Sequence, residues 1–336
     1  MIELYPYTIS LKTKVNGQKE RKGVLVSVSD NQGNVGWGDA APLLGFSQET
    51  VKEVLAKKEC ASLQWAEDVA KCHLESQQKN VSMFSLWSNS PNESLPITKL
   101  GITIFPFVTG ESHNVGGGVF RSGSENSLSP FVQPPLEKEE YVSIKIKVGR
   151  QLLEKDISLV EEYIHKYAPQ QIRLDANRVW HLNEAIDFCK AMKDYPIEFI
   201  EEPCQNPQDI PELVRQTQIP VALDESIYLK EDISALWDFI VAIVLKPTLV
   251  GGIDILSKWK QEAERRDKYI VVSAAFESGV GIYALSQLAL AWHKPNVSVG
   301  LDTYSFLKSD VLEEHLKWGQ ILSWQELPPI QKTILQ

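Results

Sequence analysis

The sequence predicts an α/β protein: a parallel β/α barrel accompanied by a smaller α+β portion. Three observations predict it. From Tyr141 onward, short apolar runs (VSIKIKV, QIRLDA, IEFIEE, PVALDE, FIVAIVLK, YIVVSAAF and VSVGLD) alternate with amphipathic stretches. The runs are almost continuously apolar, as strands covered on both faces must be. Polar or charged markers fall near their C-terminal ends at a near-constant interval: Lys147, Asp175, Glu201, Asp224, Lys246, Ser273 and Asp302. A closed ring gathers the ends of many successive strands around one point, and an open doubly wound sheet does not.

The elements follow in chain order. IELYPYTISLKTKV and GVLVSVSD read as strands, the second closed by the turn Asp30-Asn31-Gln32-Gly33. NVGWGDAAPLLGFS is a loop punctuated by Gly and Pro. SQETVKEVLAK (47–57) reads as a helix with Ser47 as N-cap and Thr50 and Val51 in its first turn, and WAEDVAKCHLESQQ continues as helix. GITIFPFV (101–108) supplies the first barrel strand, making eight with the seven runs above. TGESHNVGGGVFRSGSENSLSPFVQPPLE (109–137) has no periodicity and reads as a long loop. Its Gly116–Gly118 run lacks a following Lys-Ser/Thr pair, so it is no phosphate-binding loop. The helices expected between the later strands are LLEKDISLVEEYIHKY, HLNEAIDFCKAMKDY, QDIPELVRQTQ, LKEDISALWDF, GIDILSKWKQEAERRD and GVGIYALSQLALAWH.

Composition narrows the function. The chain has 336 residues and a formal charge of −10, with no basic stripe. Nucleic acid and anionic membranes are therefore not expected partners, and a small molecule is. Cys60, Cys72, Cys189 and Cys204 show no metal-ligand spacing and read as reduced structural thiols. The N-terminal stretch lacks the charged start and apolar core of a signal peptide. No apolar run approaches the ~20 residues of a membrane helix, so a cytoplasmic location is expected. The six histidines have no spacing suited to zinc or a triad. Neither Ser273 nor Ser278 lies in a G-x-S-x-G elbow, which excludes a hydrolase of that kind.

The chemistry lies in an ordered set. Asp175 (IRLDAN), Glu201 (IEFIEEP) and Asp224 (VALDES) end three successive strands. Three oxygen donors without His or Cys suit a hard cation, Mg²⁺ with Mn²⁺ as a substitute. Asn177 shares a strand face with Asp175, either as a hydrogen-bond donor behind the ligands or as a turn residue. Lys145 and Lys147 alternate with Ile144, Ile146 and Val148, so both lysines point one way. A buried lysine near other cations holds its proton less tightly and can act as a base. Lys246 ends a later strand, across the barrel mouth from Lys147. The set suits removal of the proton α to a carboxylate, with the cation stabilising the enediolate that results.

KxK at 145–147, DAN at 175–177, EEP at 201–203, DES at 224–226 and KPTLVGG at 246–252 appear in order. On these motifs the chain resembles the enolase superfamily, and within it the muconate-lactonizing subgroup. GWGDAAPLLGFSQET resembles the loop of that family's capping domain that closes over the substrate. SAAFESGVG and VGLDTYSFL resemble its seventh and eighth strands. The resemblance implies an enolase-type modified TIM barrel over residues 99–309. It also implies an α+β capping domain over residues 1–98, with a tail at 310–336 packing back on it. Asp175, Glu201 and Asp224 would bind Mg²⁺. Lys147 would take the α-proton and return it to the departing hydroxyl. Lys246 would stabilise the anion from the opposite ring face as a cation–π partner, and Lys145 would orient the carboxylate and tune Lys147. Ser273 and Gly300 would line the pocket for a succinyl tail, and Arg173 would support the cluster around Asp175.

The activity implied is that of a lyase of menaquinone biosynthesis. It dehydrates 2-succinyl-6-hydroxy-2,4-cyclohexadiene-1-carboxylate to o-succinylbenzoate. Racemization of N-succinylamino acids, dipeptide epimerization and cycloisomerization share the same metal and lysines. Epimerases usually carry Asp-x-Asp on the eighth strand, where this chain has Gly300-Leu301-Asp302. A non-catalytic barrel would have lost a ligand or a lysine, and none is missing. Two features depart from the family pattern: ITIFPFVTG lacks the Asn-Gly expected near that strand's end, and 109–137 is longer than the usual connection.

Overall fold

A computed structural model describes residues 2–88, 107–108, 143–292, 297–316 and 327–335. The expected loop at 109–137 and residues 101–106 of the expected first strand lie outside the described residues. The chain divides into two compact units. One comprises Met1–Ile102, Leu245–Gln261 and Val271–Gln336; the other comprises Thr103–Val244 and Glu262–Ile270.

The first unit contains an antiparallel sheet of three strands in sequence order: β1 (Ile2–Val15), β2 (Gln18–Ser29) and β3 (Val35–Ala40). Tyr7, Ile9 and Leu11 alternate inward along β1, the period-two pattern of a half-buried strand. Between β1 and β2 stand Asn16 (φ 48°) and Gly17 (φ 78°). Both are left-handed, as a two-residue hairpin turn of the primed kind requires. This Asn-Gly pair extends β2 back to Gln18, well before the start read from the sequence.

Helix α1 (Val51–Leu55) begins later than expected. Its N-cap is Thr50, whose side chain and backbone form a reciprocal capping box with Glu53. Ser47 instead accepts the N–H of Leu43 through its hydroxyl at 2.8 Å. The expected Ser47 cap fails because Thr-x-x-Glu satisfies two helix-end donors at once. Helix α2 (Ala61–Lys79) packs its Leu63, Ala66 and Ala70 face on Val24, Val26 and Ala40 of the sheet, and the short helix α3 (Met83–Trp87) follows it. Gly36 and Gly38 of β3 allow this approach: a Cβ at Gly38 would lie 2.0 Å from the Ala66 carbonyl oxygen.

His73 on α2 is buried, and its Nδ1 accepts the Trp37 N–H of β3 at 3.1 Å. Burial lowers its pKa from 6.5 to about 4, against the smaller opposing effect of that hydrogen bond. A histidine held neutral in the fold but protonated when unfolded contributes stability that is lost as pH falls from about 6.5 towards 4. Between pH 7 and pH 4.5 the wild-type chain should lose about 2 kcal/mol more than a His73→Gln variant. Urea denaturation of both proteins at the two pH values measures the difference.

The second unit is built on parallel strands in the order β10-β9-β8-β7-β6-β5-β4. These are β4 (Phe107–Val108), β5 (Ser143–Lys147), β6 (Gln171–Asp175), β7 (Ile197–Glu201), β8 (Val221–Leu223), β9 (Ala242–Leu245) and β10 (Tyr269–Val272). The last residues of β9 and β10 belong to the first unit by their packing. Helices α4 (Leu153–Tyr167), α5 (Leu182–Met192), α6 (Ile210–Thr217) and α9 (Ile253–Arg265) fall at the expected places between strands. Helix α10 (Gly279–Trp292), in the first unit, is buried from Gly279 to Leu290.

Three further elements differ from expectation. NVGWGDAAPLLGFS, read as a loop, contains strand β3 (Val35–Ala40). LKEDISALWDF is not a helix. A short turn, α7 (Glu225–Tyr228), precedes it, and only Trp237–Phe239 at its end is a 3-10 helix. Ile233, Leu236 and Trp237 are buried without a continuous helix, so their helix-like spacing misleads. VSVGLD supplies no full strand either. Gly300 forms a single parallel bridge with Ser273, and Asp302–Phe306 turns into a 3-10 helix. Among the described residues, seven strands and this bridge occupy the eight expected places. No helix among the described residues is long and apolar enough to cross a membrane.

Candidate active site

In the second unit the register places three of the expected residues in one row. Lys147 of β5 stands opposite Asp175 of β6, which stands opposite Glu201 of β7. The row one pleat earlier is Lys145, Arg173 and Phe199. Asp224 directly follows β8, whose Ala222 pairs with Glu201, so it stands two residues further along. Asp175 and Asp224 are wholly buried and Glu201 almost so.

The lysines bind this acidic row. Lys145 Nζ lies 2.8 Å from Asp175 Oδ2 and 2.7 Å from Glu201 Oε2, bridging the two. Lys147 Nζ donates to Asp175 Oδ2 at 2.5 Å and to Asn177 Oδ1 at 2.7 Å. Burial, its largest influence, lowers the Lys147 pKa. Lys145 and Arg150 push the same way, and Asp175 and Glu201 oppose them. Burial thus favours the neutral amine that a base needs.

Residues just past the strand ends hold this arrangement. Asn177 (φ 45°), Arg178 (φ 61°) and Glu202 (φ 43°) all adopt the left-handed conformation that side chains disfavour. Asn177 donates its amide to Glu225 Oε1 at 2.9 Å while accepting from Lys147. Glu202 Oε1 accepts the N–H groups of Asp224 (3.0 Å) and Ser226 (2.7 Å), which fixes the backbone that carries Asp224. Burial, then the neighbouring Glu225 carboxylate, pushes the Glu202 carboxyl up. Arg178 pairs with Glu231 at 2.9 Å. Glu202, Glu225 and Arg178 escape sequence reasoning. For the two glutamates the signal is a second acid beside the first in EEP and DES, which a strand-end reading assigns to the opposite face; Arg178 follows DAN with no such signal. Arg173 is buried, in a bidentate pair with Glu198 (both bonds 2.7 Å), and lies over the Phe199 ring at 4.6 Å.

The first unit holds the other three. Lys246, half-buried, directly precedes the short helix α8 (Pro247–Val250) as its N-cap. Ser273 follows β10, and its N–H donates to the Leu245 carbonyl at 2.9 Å. Gly300 donates to Val272 (2.9 Å) and accepts from Ala274 (2.8 Å). A Cβ at Gly300 would lie 2.7 Å from Ser273 Oγ. Gly300→Ala must therefore displace that hydroxyl. On the expectation that Ser273 and Gly300 line the pocket for a succinyl tail, the change should raise KM by about tenfold, equivalent to about 1.4 kcal/mol, with a smaller change in kcat, as steady-state kinetics of the two proteins would show.

Residues 131–320 match the family described as enolase C-terminal domain-like, and residues 1–85 match the MenC N-terminal domain. The chain belongs to the enolase C-terminal domain-like family. It is 29% identical over 318 residues to an o-succinylbenzoate synthase of Yersinia pseudotuberculosis serotype O:1b (strain IP 31758), covering 92% of each chain. It is 26% identical over 325 residues to the o-succinylbenzoate synthase of Haemophilus influenzae, covering 92% of this chain and 91% of that one. Among solved structures it is similar to a dipeptide epimerase from Enterococcus faecalis complexed with Mg and the dipeptide L-Leu-L-Tyr. The TM-score is 0.73 at 19% identity, over 96% of this chain and 95% of that one. That likeness shows the fold alone; the family rests on the match over residues 131–320.

The family implies a divalent metal. Among the described residues, no three His, Cys, Asp or Glu side chains stand together as a ligand group. The donor chemistry nevertheless fits a hard cation: three buried carboxylates end adjacent strands with no sulfur or imidazole among them. The Lys145 ammonium, between Asp175 and Glu201, shows that these two carboxylates already converge on positive charge.

Proposed function

We infer that this member of the enolase family is an o-succinylbenzoate synthase. It would dehydrate 2-succinyl-6-hydroxy-2,4-cyclohexadiene-1-carboxylate in menaquinone biosynthesis. The observation that carries the chemistry is the buried amine of Lys147, in register with Asp175 and Glu201. The match of residues 1–85 to the MenC N-terminal domain, with the near-full-length similarity to two synthases, favours this substrate over the other reactions of the subgroup.

Asp175, Glu201 and Asp224 would hold Mg²⁺. When bound, the ion acidifies the proton α to the substrate carboxylate and offsets the negative charge that follows its removal. Lys147, as the neutral amine, takes the proton from C1. The electron pair left on C1 forms the C1–C6 double bond as the C6–oxygen bond breaks. The Lys147 ammonium returns its proton to the departing hydroxyl, which leaves as water. The ring becomes aromatic, so the step runs strongly downhill. Lys145 orients the carboxylate. Lys246 faces the other side of the ring and stabilises the anion. Ser273 and Gly300 line the space for the succinyl tail, and Arg173 braces the strand that carries Asp175. Residues 1–98 with 310–336 make up the α+β capping domain of this reading, and 99–309 its barrel domain. The enzyme works in the cytoplasm on a small carboxylate, without nucleic acid or membrane as partner.

Purified protein incubated with the cyclohexadiene carboxylate, and separately with N-succinylamino acids, tests the reading. Formation of o-succinylbenzoate, abolished by EDTA and restored by Mg²⁺, is expected. Racemization of the N-succinylamino acids without dehydration of the cyclohexadiene would overturn it.

A further inference from the structure

Arg21 lies on β2, in the first unit, and is buried at 5% exposure. A guanidinium carries five N–H groups in a planar fork, and here they reach five backbone carbonyls. Nε donates to Phe276 (3.1 Å). Nη1 donates to Lys22 (3.0 Å) and Pro42 (2.6 Å). Nη2 donates to Ala41 and to Ala275 (3.4 Å). One side chain thus joins the strand that bears it, the loop after β3 and the turn after β10.

That turn depends on such help. Phe276 is left-handed (φ 62°), a strained state for an aromatic residue. Its N–H donates to Thr303 Oγ1 at 3.3 Å, and its ring meets Phe306 edge-on at 5.6 Å. The turn directly continues Ser273 and Ala274, which pair with Gly300. The loop after β3 is braced a second time, where Asn16 Nδ2 donates to the Leu44 carbonyl at 2.6 Å. Leu44 itself is 62% exposed.

We propose that Arg21 is a positioning residue for substrate binding, a clasp that holds the 41–44 loop and the 275–276 turn in the arrangement that receives the substrate's tail. This rests on the synthase reading, in which Ser273 and Gly300 line the pocket. Arg21 touches no reacting atom, so it acts on affinity more than on the chemical step. Lysine keeps the charge but offers three donors from one point, and cannot span five carbonyls in three segments. Methionine keeps the bulk and offers none.

The test compares wild type, Arg21→Lys and Arg21→Met by two measurements. Amide hydrogen exchange reads the clasp without any assay of activity. Exchange in both 41–46 and 274–278 should quicken at least tenfold in Arg21→Lys and further in Arg21→Met, with α2 unchanged. Kinetics on the cyclohexadiene carboxylate should show KM raised by about 10–100-fold, with kcat within threefold of wild type. Unchanged exchange in either segment would overturn the clasp. Faster exchange with unaltered KM, or a loss confined to kcat, would overturn the role in binding. Failure of both variants to fold would make Arg21 a determinant of the fold rather than of the site, and would overturn it equally. If wild-type protein itself does not dehydrate the substrate, the synthase reading fails, and with it the role in binding; exchange still decides the clasp.

Discussion

Replacing Lys147 by alanine is expected to lower turnover by about 10³–10⁴-fold, the contribution of a well-placed acid–base group that serves in both halves of a reaction. The amine is buried, reaches Asp175 and Asn177, and has its pKa lowered chiefly by burial. Lys145 holds Asp175 and Glu201 from the pleat before, with its nitrogen 2.8 and 2.7 Å from their oxygens. That same bond pair explains why the fold should survive: Asp175 keeps a cationic partner when Lys147 is gone. Circular dichroism should therefore stay native and Mg²⁺ affinity within threefold of wild type. Single-turnover measurement with saturating substrate separates the chemical step from binding. Activity within tenfold of wild type would remove Lys147 from the role of base.

Asp175→Asn should have the second-largest effect, and of a different kind. The change is nearly isosteric but removes one carboxylate that faces both lysines. Breaking one partner out of a buried ionic group costs several kcal/mol. Because Lys145 keeps Glu201 and Lys147 keeps Asn177, the expected loss of stability is about 2–3 kcal/mol. The apparent dissociation constant for Mg²⁺ should rise about 100-fold, equal to about 2.7 kcal/mol. Thermal unfolding and calorimetric titration measure the two effects. A variant as stable as wild type with unaltered Mg²⁺ affinity would mean that Asp175 neither neutralises the lysines nor serves as a ligand.

The β/α repeat was legible because burial on both faces forces apolar runs, and because Asp175, Glu201 and Asp224 recur at each run's end. Register then does the rest: Lys147, Asp175 and Glu201 are distant in the chain but adjacent across paired strands. What escaped had no periodic signal, or one that misled. The Thr50–Glu53 capping box moved a helix start away from Ser47. Ile233, Leu236 and Trp237 keep helical spacing in a segment that reaches the core without forming a helix. Gly300 stands in for a strand with one bridge. The hydrogen bond from Arg21 to Phe276 spans 255 positions, and no local pattern in either segment announces it. Glu202 lay beside a recognised residue but on the other side of the backbone, where its task is to hold the N–H groups of Asp224 and Ser226.

The shared cation is most directly tested by anomalous diffraction from crystals of the protein grown with Mn²⁺ in place of Mg²⁺. One strong peak per chain is expected, about 2.0–2.5 Å from an oxygen of each of Asp175, Glu201 and Asp224, with Lys145 drawn off its bridging position. A peak bound elsewhere, or no peak while the three carboxylates stay ordered, would contradict it.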